Sequence, residues 1–267
     1  MANLFFPQLS SGATVQYPIK KTTTSRNIQN VLLDGSMILF ADPNGWMLNW
    51  ELTYSELNSS DIALLQSHFS NCLGPFHAFT FIDPTENMLL SSEALTNAAW
   101  LNQGGMTIAG SAADPTGGSA AFIVTNTSQT AQSITQTLNV PAGYQYCLSF
   151  YAACAAPATL TLSRNGPSVS QADSVSVGPA WSRFVSSGQL NDSGIGFTVG
   201  FTVPTGAQVQ IYGIQLEAQL APSRYRPTAQ TGGVYPNAHW VSDQLMITAQ
   251  GLNQFSSTFS IETAILG

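Results

Sequence analysis

Three histidines, fourteen carboxylates and three cysteines are the side chains with which this 267-residue chain could make or break bonds. A nucleophilic triad needs a base beside its nucleophile and an acid to orient the base. His68, His77 and His239 come with no Gly-x-Ser-x-Gly turn, and no His-x-His or His-x-x-x-His spacing points to a metal. Glycoside hydrolysis needs two carboxyls about 5–10 Å apart in a cleft. Residues 93–231 hold only Glu93, Asp114, Asp173, Asp192 and Glu217. Asp114-Pro115 and Asn191-Asp192 read as turns, while Glu93 and Glu217 stand at the two ends of the stretch. A calcium ion at a β-sandwich rim would use Asp114 or Asp192, and a lone acid is little to hold one. Cys72, Cys147 and Cys154 are odd in number, fit no metal spacing and read as buried free thiols. Gly104-Gly105, Gly117-Gly118 and Gly232-Gly233 lead into no Lys-Ser/Thr helix start, so they read as turns or hinges. No catalytic residue, metal or cofactor is expected. Sugar binding remains, because aromatic faces stack on pyranose rings while amides and carboxylates take the hydroxyls. By residue type Tyr144, Tyr151 and Trp181 suit that role. Each could equally pack in a core or rim. Tyr151 is out of phase with Tyr146, Leu148 and Phe150, so one of those two sets faces outward.

The elements that must position these residues are β-strands. Only 8% of the chain is charged, against about 25% in an average protein. Ser, Thr, Asn, Gln and Gly supply the polarity, which suits extended structure and subunit contacts. The net charge is -7 and there are seven basic residues, so no basic stripe could follow a phosphate backbone. Met1 to Ser11 lacks the basic and apolar regions of a secretory signal, and no apolar run reaches the ~18 residues of a membrane span. Synthesis in a reducing cytoplasm is therefore expected, without membrane insertion.

Along the chain, Val15 and Tyr17 alternate. Val31–Leu33, the turn Asp34-Gly35 and Met37–Phe40 then read as a hairpin. Asp42-Pro43-Asn44-Gly45 reads as a second turn, and Trp46 to Tyr54 alternate strictly. Asn58, Ser59 and Ser60 offer N-cap oxygens to a helix carrying Ile62, Leu65 and Phe69, which Gly74-Pro75 ends. Phe76, Phe79 and Phe81 lie in another strand. From Glu93 the chain changes character to eight short strands with turn residues between them: 121–125, 132–140, 145–152, 158–164, 174–177, 182–186, 196–203 and 208–217. Residues 223–230 read as an outgoing linker, after which the pattern of the first 92 residues returns at Leu245, Ile247, Phe255, Phe259 and Ile261. Nine acids and three bases lie outside the middle segment, five acids and four bases inside it. The expected architecture is mostly β: a discontinuous β-barrel or sandwich domain with one short helix, residues 1–92 plus 232–267, interrupted by a β jelly roll at 93–231. Domain termini that lie close together make such an insertion topologically simple.

Ser92-Glu93-Ala94-Leu95-Thr96-Asn97-Ala98-Ala99-Trp100 resembles the opening of a jelly-roll module found in many phage tail and tail-fibre proteins. Ile211-Tyr212-Gly213-Ile214-Gln215-Leu216-Glu217, followed by Pro222-Ser223-Arg224-Tyr225-Arg226-Pro227-Thr228, resembles its close, and Trp181-Ser182-Arg183 the approach to a late strand. Such modules are similar to carbohydrate-binding jelly rolls, in which Trp181 would be a core residue. More loosely, Phe5-Phe6-Pro7, the Trp46–Tyr54 strand and Trp240–Thr248 resemble phage distal tail proteins, whose β-barrels form hexameric rings and often carry a galectin-like or carbohydrate-binding addition.

The resemblance implies a non-enzymatic virion structural protein of a phage tail tip or baseplate. It would be a homo-oligomeric ring subunit, hexameric by likeness, between tail tube and hub proteins, with the insertion free for host attachment through surface glycan. Low charge and many aromatics suit a ring built by repeated heterologous contacts. A receptor-binding, fibre-type adhesin working entirely through residues 93–231 is the first alternative. A glycan hydrolase is the second.

Overall fold

The computed structural model describes residues 4–265. Met1–Asn3 and Leu266–Gly267, which the expected split domain would include, lie outside the described residues. In chain order the elements are β1 (Lys20–Val31), β2 (Met37–Leu57), α1 (Ser59–Asn71), β3 (Phe79–Ile82), β4 (Leu101–Asn102), β5 (Met106–Ala112), β6 (Ala121–Asn126), β7 (Gln132–Pro141) and β8 (Tyr146–Ala153). They continue with β9 (Ala158–Asn165), β10 (Ser170–Val177), β11 (Ser182–Gly188), β12 (Ile195–Val203), β13 (Gln208–Glu217), β14 (Val234–Trp240), β15 (Ile247–Gly251) and β16 (Gln254–Ile265). The protein is mostly β, with one helix among the described residues. It divides into two compact units, Met1–Ile82 with Tyr235–Gly267, and Asp83–Val234.

The split unit is one sheet in the order β1-β2-β16-β14-β3, with β15 paired to β16. The alternation from Trp46 to Tyr54 does what a period of two requires: Leu48, Trp50, Leu52 and Tyr54 are buried on one face. Asn58 caps α1, its side-chain oxygen accepting from the Asp61 amide at 2.9 Å. The helix turns Ile62, Leu65 and His68 into the same core. Phe6 sits among aromatic rings, 5.5 Å from Phe81, 6.0 Å from Trp240 and 6.1 Å from Phe259 between centroids.

Three local expectations need correction. Phe76 lies in the turn after α1 and not in the strand with Phe79 and Phe81, which begins at Phe79. Val15 and Tyr17 form no strand. Asp42-Pro43-Asn44-Gly45 does not end a strand, because β2 runs through it. Register passes from Ser25↔Trp46 to Asn27↔Ala41, so the tetrapeptide bulges opposite the single residue Arg26. Asp42 holds the bulge, accepting from Arg26 and from the Asn44 amide. The polar strand Lys20–Asn30 gives no sequence signal, because all its residues are exposed and none alternates.

The middle unit is a sandwich of two five-stranded sheets, β10-β9-β12-β7-β4 and β11-β8-β13-β6-β5. Tyr146 stacks on Phe197 at 4.4 Å and Phe150 meets Phe201 at 5.3 Å across the interior. Arg164 of β9 is fully buried and donates to Ser186 Oγ (2.7 Å) and the Gly188 carbonyl (2.8 Å) of β11, tying one sheet to the other. All eight strands read from this segment are present. Two more, β4 and β5, precede them.

His68 titrates against its surroundings. It lies edge-on to Phe79 (4.7 Å) and Phe6 (5.4 Å), and burial lowers its pKa to about 4. Between pH 6.5 and 4 the unfolded chain binds a proton at this position that the folded chain refuses. The folded state therefore keeps its full advantage above pH 6.5 and loses up to about 3 kcal/mol as pH falls through that window. Urea unfolding at pH 7 and 4.5 should show a steeper loss of stability for the native chain than for His68→Leu. Parallel losses in the two would refute the assignment.

Candidate functional site

The strand register fixes which way β8 presents its side chains. Tyr146, Leu148 and Phe150 fill the sandwich, so Cys147, Ser149 and Tyr151 lie on the outer face of their sheet. Across that face Arg183 of β11 and Tyr212 of β13 are both directly paired with Tyr151. The Arg183 guanidinium lies over the Tyr151 ring at 5.4 Å and donates to Ser149 Oγ at 2.9 Å. Tyr151 and Tyr212 are 6.0 Å apart, and Tyr225 meets Tyr212 edge-on at 5.2 Å. The group is an aromatic cluster, with Tyr212 buried and Tyr151 partly exposed, and one cation over the Tyr151 ring. Such a cluster can stack on a sugar ring while offering guanidinium donors to hydroxyls or a carboxylate. Arg183 Nε is buried and has no protein acceptor.

Part of this face is covered by the chain itself. Residues 223–230 are an ordered strap rather than the expected linker. Glu217, fully buried, accepts from the Ser223 amide and hydroxyl and from Gln219. Gln215 accepts from the Arg226 amide at 2.8 Å. Tyr225 OH and Ser92 Oγ are 2.9 Å apart, and Ser92 Oγ also accepts from the Thr228 amide. Trp100 Nε1 donates to the Ser91 carbonyl at 3.0 Å. Asn87 closes the ring of contacts: its amide donates to the Ile214 and Arg226 carbonyls, and its oxygen accepts from Leu89 and Leu216. Gly213 allows the strap to approach. It has φ of 66°, and a Cβ there would stand 3.2 Å from Tyr225 Cγ. These bonds also explain why residues 83–92, expected in the split domain, lie in the middle unit.

The three aromatic residues singled out by type do not converge. Tyr151 is at the centre of the outer face. Trp181 immediately precedes β11, two residues from Arg183, and is partly buried. Tyr144 belongs to the loop before β8 and does not line the hollow of about 500 Å³ that its neighbour Gly143 forms with Leu190 and Asp192. Burial raises the Tyr144 phenol to about 12. Residue type alone does not single out Arg183, Tyr212 and Tyr225, although all three stand in the stretches that resemble the phage module. Pairing of β8 with β11 and β13 brings them to Tyr151, and pairing is not written in any one strand.

The carboxylates a hydrolase would use have other employment. Asp114 takes bonds from the Thr116 hydroxyl and from the amides of Thr116, Gly118 and Ala120, and these donors, the hydroxyl first, lower its pKa to about 2. Asp192 accepts from the Ser168, Val169 and Gly194 amides, which lower its pKa. Cys72, Cys147 and Cys154 are free, buried thiols. Among the described residues no group of three or more His, Cys, Asp or Glu side chains could hold a metal ion.

The Asn87 contacts are testable. Asn87→Ala leaves buried carbonyls and amides without partners and should cost about 2–4 kcal/mol. Asn87→Asp, which keeps the acceptor, should cost less against Leu216 and Leu89 and still lose the two donated bonds. A denaturant midpoint for Asn87→Ala within error of the native one would show that the ring of contacts is dispensable.

No family model and no curated protein matches the sequence. Solved structures similar to part of it include the enzymatically active domain of tailspike protein 4 from bacteriophage CBA120, at 17% identity and a TM-score of 0.42, covering 51% of this chain and 22% of that one. The CBM22-1 xylan-binding domain of Xyn10C from Paenibacillus barcinonensis matches at 14% identity and 0.38, covering 49% and 90%. TmCBM61, solved with β-1,4-galactotriose, matches at 17% and 0.38, covering 49% and 97%. This chain thus spans about a fifth of the tailspike domain's length.

Proposed function

We propose that this chain is a non-catalytic structural subunit of a phage or phage-like tail tip. In this reading the split unit joins a distal-tail-type ring between tail tube and hub, and the inserted jelly roll touches host-surface glycan. One observation carries the reading. The two stretches that resemble the opening and close of a phage tail module, 92–100 and 211–228, are bonded to each other through Ser92, Tyr225 and Thr228. Separate in sequence, they form the closed base of a sandwich whose chain enters from one half of the split unit and returns to the other. Low charge throughout and carboxylates committed to turns agree with a structural role.

Glycan contact is assigned to the Tyr151–Arg183–Tyr212 face. A glycan array probed with the full chain should give binding that Arg183→Ala and Tyr151→Ala each weaken at least tenfold, with melting midpoints near the native value. Loss of about 1.4 kcal/mol corresponds to that factor. Binding unchanged in both variants would remove this face from consideration. The ring assignment is tested by immunogold electron microscopy of purified tails. Label at the tip is expected, and a chain absent from assembled tails would sink the reading. Glycan binding by a chain absent from the ring would favour the adhesin instead.

A further inference from the structure

We infer that the arm formed by the end of β1 and the start of β2, residues 27–41, docks on a second copy of this chain. The last described residue of β16 that pairs with β2 is Ile265, opposite Trp46. Beyond it, among the described residues, β1 and β2 pair with each other alone, from Asn27↔Ala41 to Val31↔Met37. Leu33 at the tip is eight residues past Ser25, so the arm extends on the order of 25 Å beyond the shared sheet. Eight of its side chains between Ile28 and Phe40 are large and apolar, and their exposure runs from 40% for Ile38 to complete for Leu33.

Together these leave on the order of 900 Å² in water, about what one partner contributes to a stable interface. Exposed apolar patches of this size mark contact sites. Successive residues of a strand face opposite ways, and here both faces are apolar: Ile38 and Phe40 on one, Met37 and Leu39 on the other. The arm's own sheet covers neither. Charge is placed to match. Lys20, Lys21 and Arg26 guard the base of the open edge of β1, as edge strands require. From Asn27 to Leu33 there is no charge at all.

A second copy is the occupant because the split unit also exposes a separate apolar surface. Leu73 and Phe76 stand in the turn after α1, 64% and 74% exposed, and Val241 follows β14. That turn is held to β14 by a contact of 3.0 Å between His239 and the Pro75 carbonyl. Val241 bonds to Ser260, which pairs with Glu51, on the side of Trp50 away from the arm. One unit therefore carries a projecting apolar arm at one end of its sheet and a receiving apolar surface towards the other. Two different surfaces meeting head to tail is the contact that rotation can close into a ring. The choice of partner rests on the ring-subunit reading.

Photo-crosslinking tests it. p-Benzoylphenylalanine replaces Leu39 in the full chain, which is irradiated both purified and within assembled tails. An adduct of two copies, twice 28.3 kDa, is expected in both. The uncrosslinked mass alone, or an adduct with a different protein, would overturn the inference. The double variant Leu39→Asp, Phe40→Asp should sediment as a monomer with a melting midpoint close to the native one, since both side chains are at least half exposed and lie outside the core; self-association surviving in it would also overturn the inference. If the chain is in the tails and no two-copy adduct forms, the arm inference fails and the ring reading stands. If the chain is absent from tails and the purified protein yields the adduct, the ring reading fails and the arm inference stands.

Discussion

Buried polar groups must find partners, and the middle unit meets that demand at one place. Its first and last segments carry Asn87, Ser92, Gln215 and Glu217, which are almost completely excluded from solvent. None could be buried alone without a penalty of a few kcal/mol. Each takes at least one bond from the other end of the segment or from the strap that follows β13. Asn87 bonds to Leu216 and Arg226, Ser92 to Tyr225 and Thr228, and Glu217 to Ser223. The two ends of the segment cannot separate without exposing unpaired donors and acceptors. That is the condition for one β unit to interrupt another without disturbing it.

The same constraint decides the character of the outer sheet face. Cys147, Ser149, Gln215 and Glu217 lie on the outer face and are nevertheless buried; the strap bonds to Gln215 and Glu217, and Arg183 donates to Ser149. Desolvation, with Glu217 nearby as the lesser cause, raises the Cys147 thiol to about 12 and keeps it neutral. What remains accessible is the end of the face at Tyr151 and Arg183. The strap therefore decides by subtraction which part of the face stays accessible.

Most of the middle unit is legible in the sequence because its strands are short, bounded by turns and buried on one face. The strand predicted at 208–217 appears with those bounds, and that at 132–140 gains one residue. β4 and β5 are not read from the sequence: β4 is two exposed residues, and the alternation of β5 is confined to Met106–Ala109 on an edge strand with no fully buried side chain. Asp42-Pro43-Asn44-Gly45 carries every sign of a strand-ending turn, and Asp42 does accept from the Asn44 amide, yet the segment bulges within β2 because Arg26 across the ladder binds the other oxygen of Asp42. The strap misleads for a related reason. Proline and threonine in 223–230 suggest a linker, and it is the bonds to Gln215 and Glu217 on one side and to Asn87, Ser91 and Ser92 on the other that make it structure. Of the site, Tyr151 can be placed on an exposed or a buried set by phase, whereas its neighbours Arg183 and Tyr212 come from strand pairing.

The two units solve opposite problems with similar compositions. The middle unit confines its polar side chains and leaves few large apolar ones in water, so it suits a surface that stays exposed in an assembly. The split unit concentrates aromatic rings around Phe6, tightly enough to keep His68 from taking a proton, and still leaves an apolar arm outside. A core that well packed has no need of the arm's side chains, and they gain nothing by remaining hydrated. Arg26 and its bulge mark where the change occurs: on one side β2 is clamped between β1 and β16, and on the other, among the described residues, the hairpin pairs only with itself. The bulge lets one strand serve a rigid core at one end and a projecting contact at the other, which a flat continuous ladder of the same length would do less well, since bulges add the twist that turns a strand out of its sheet.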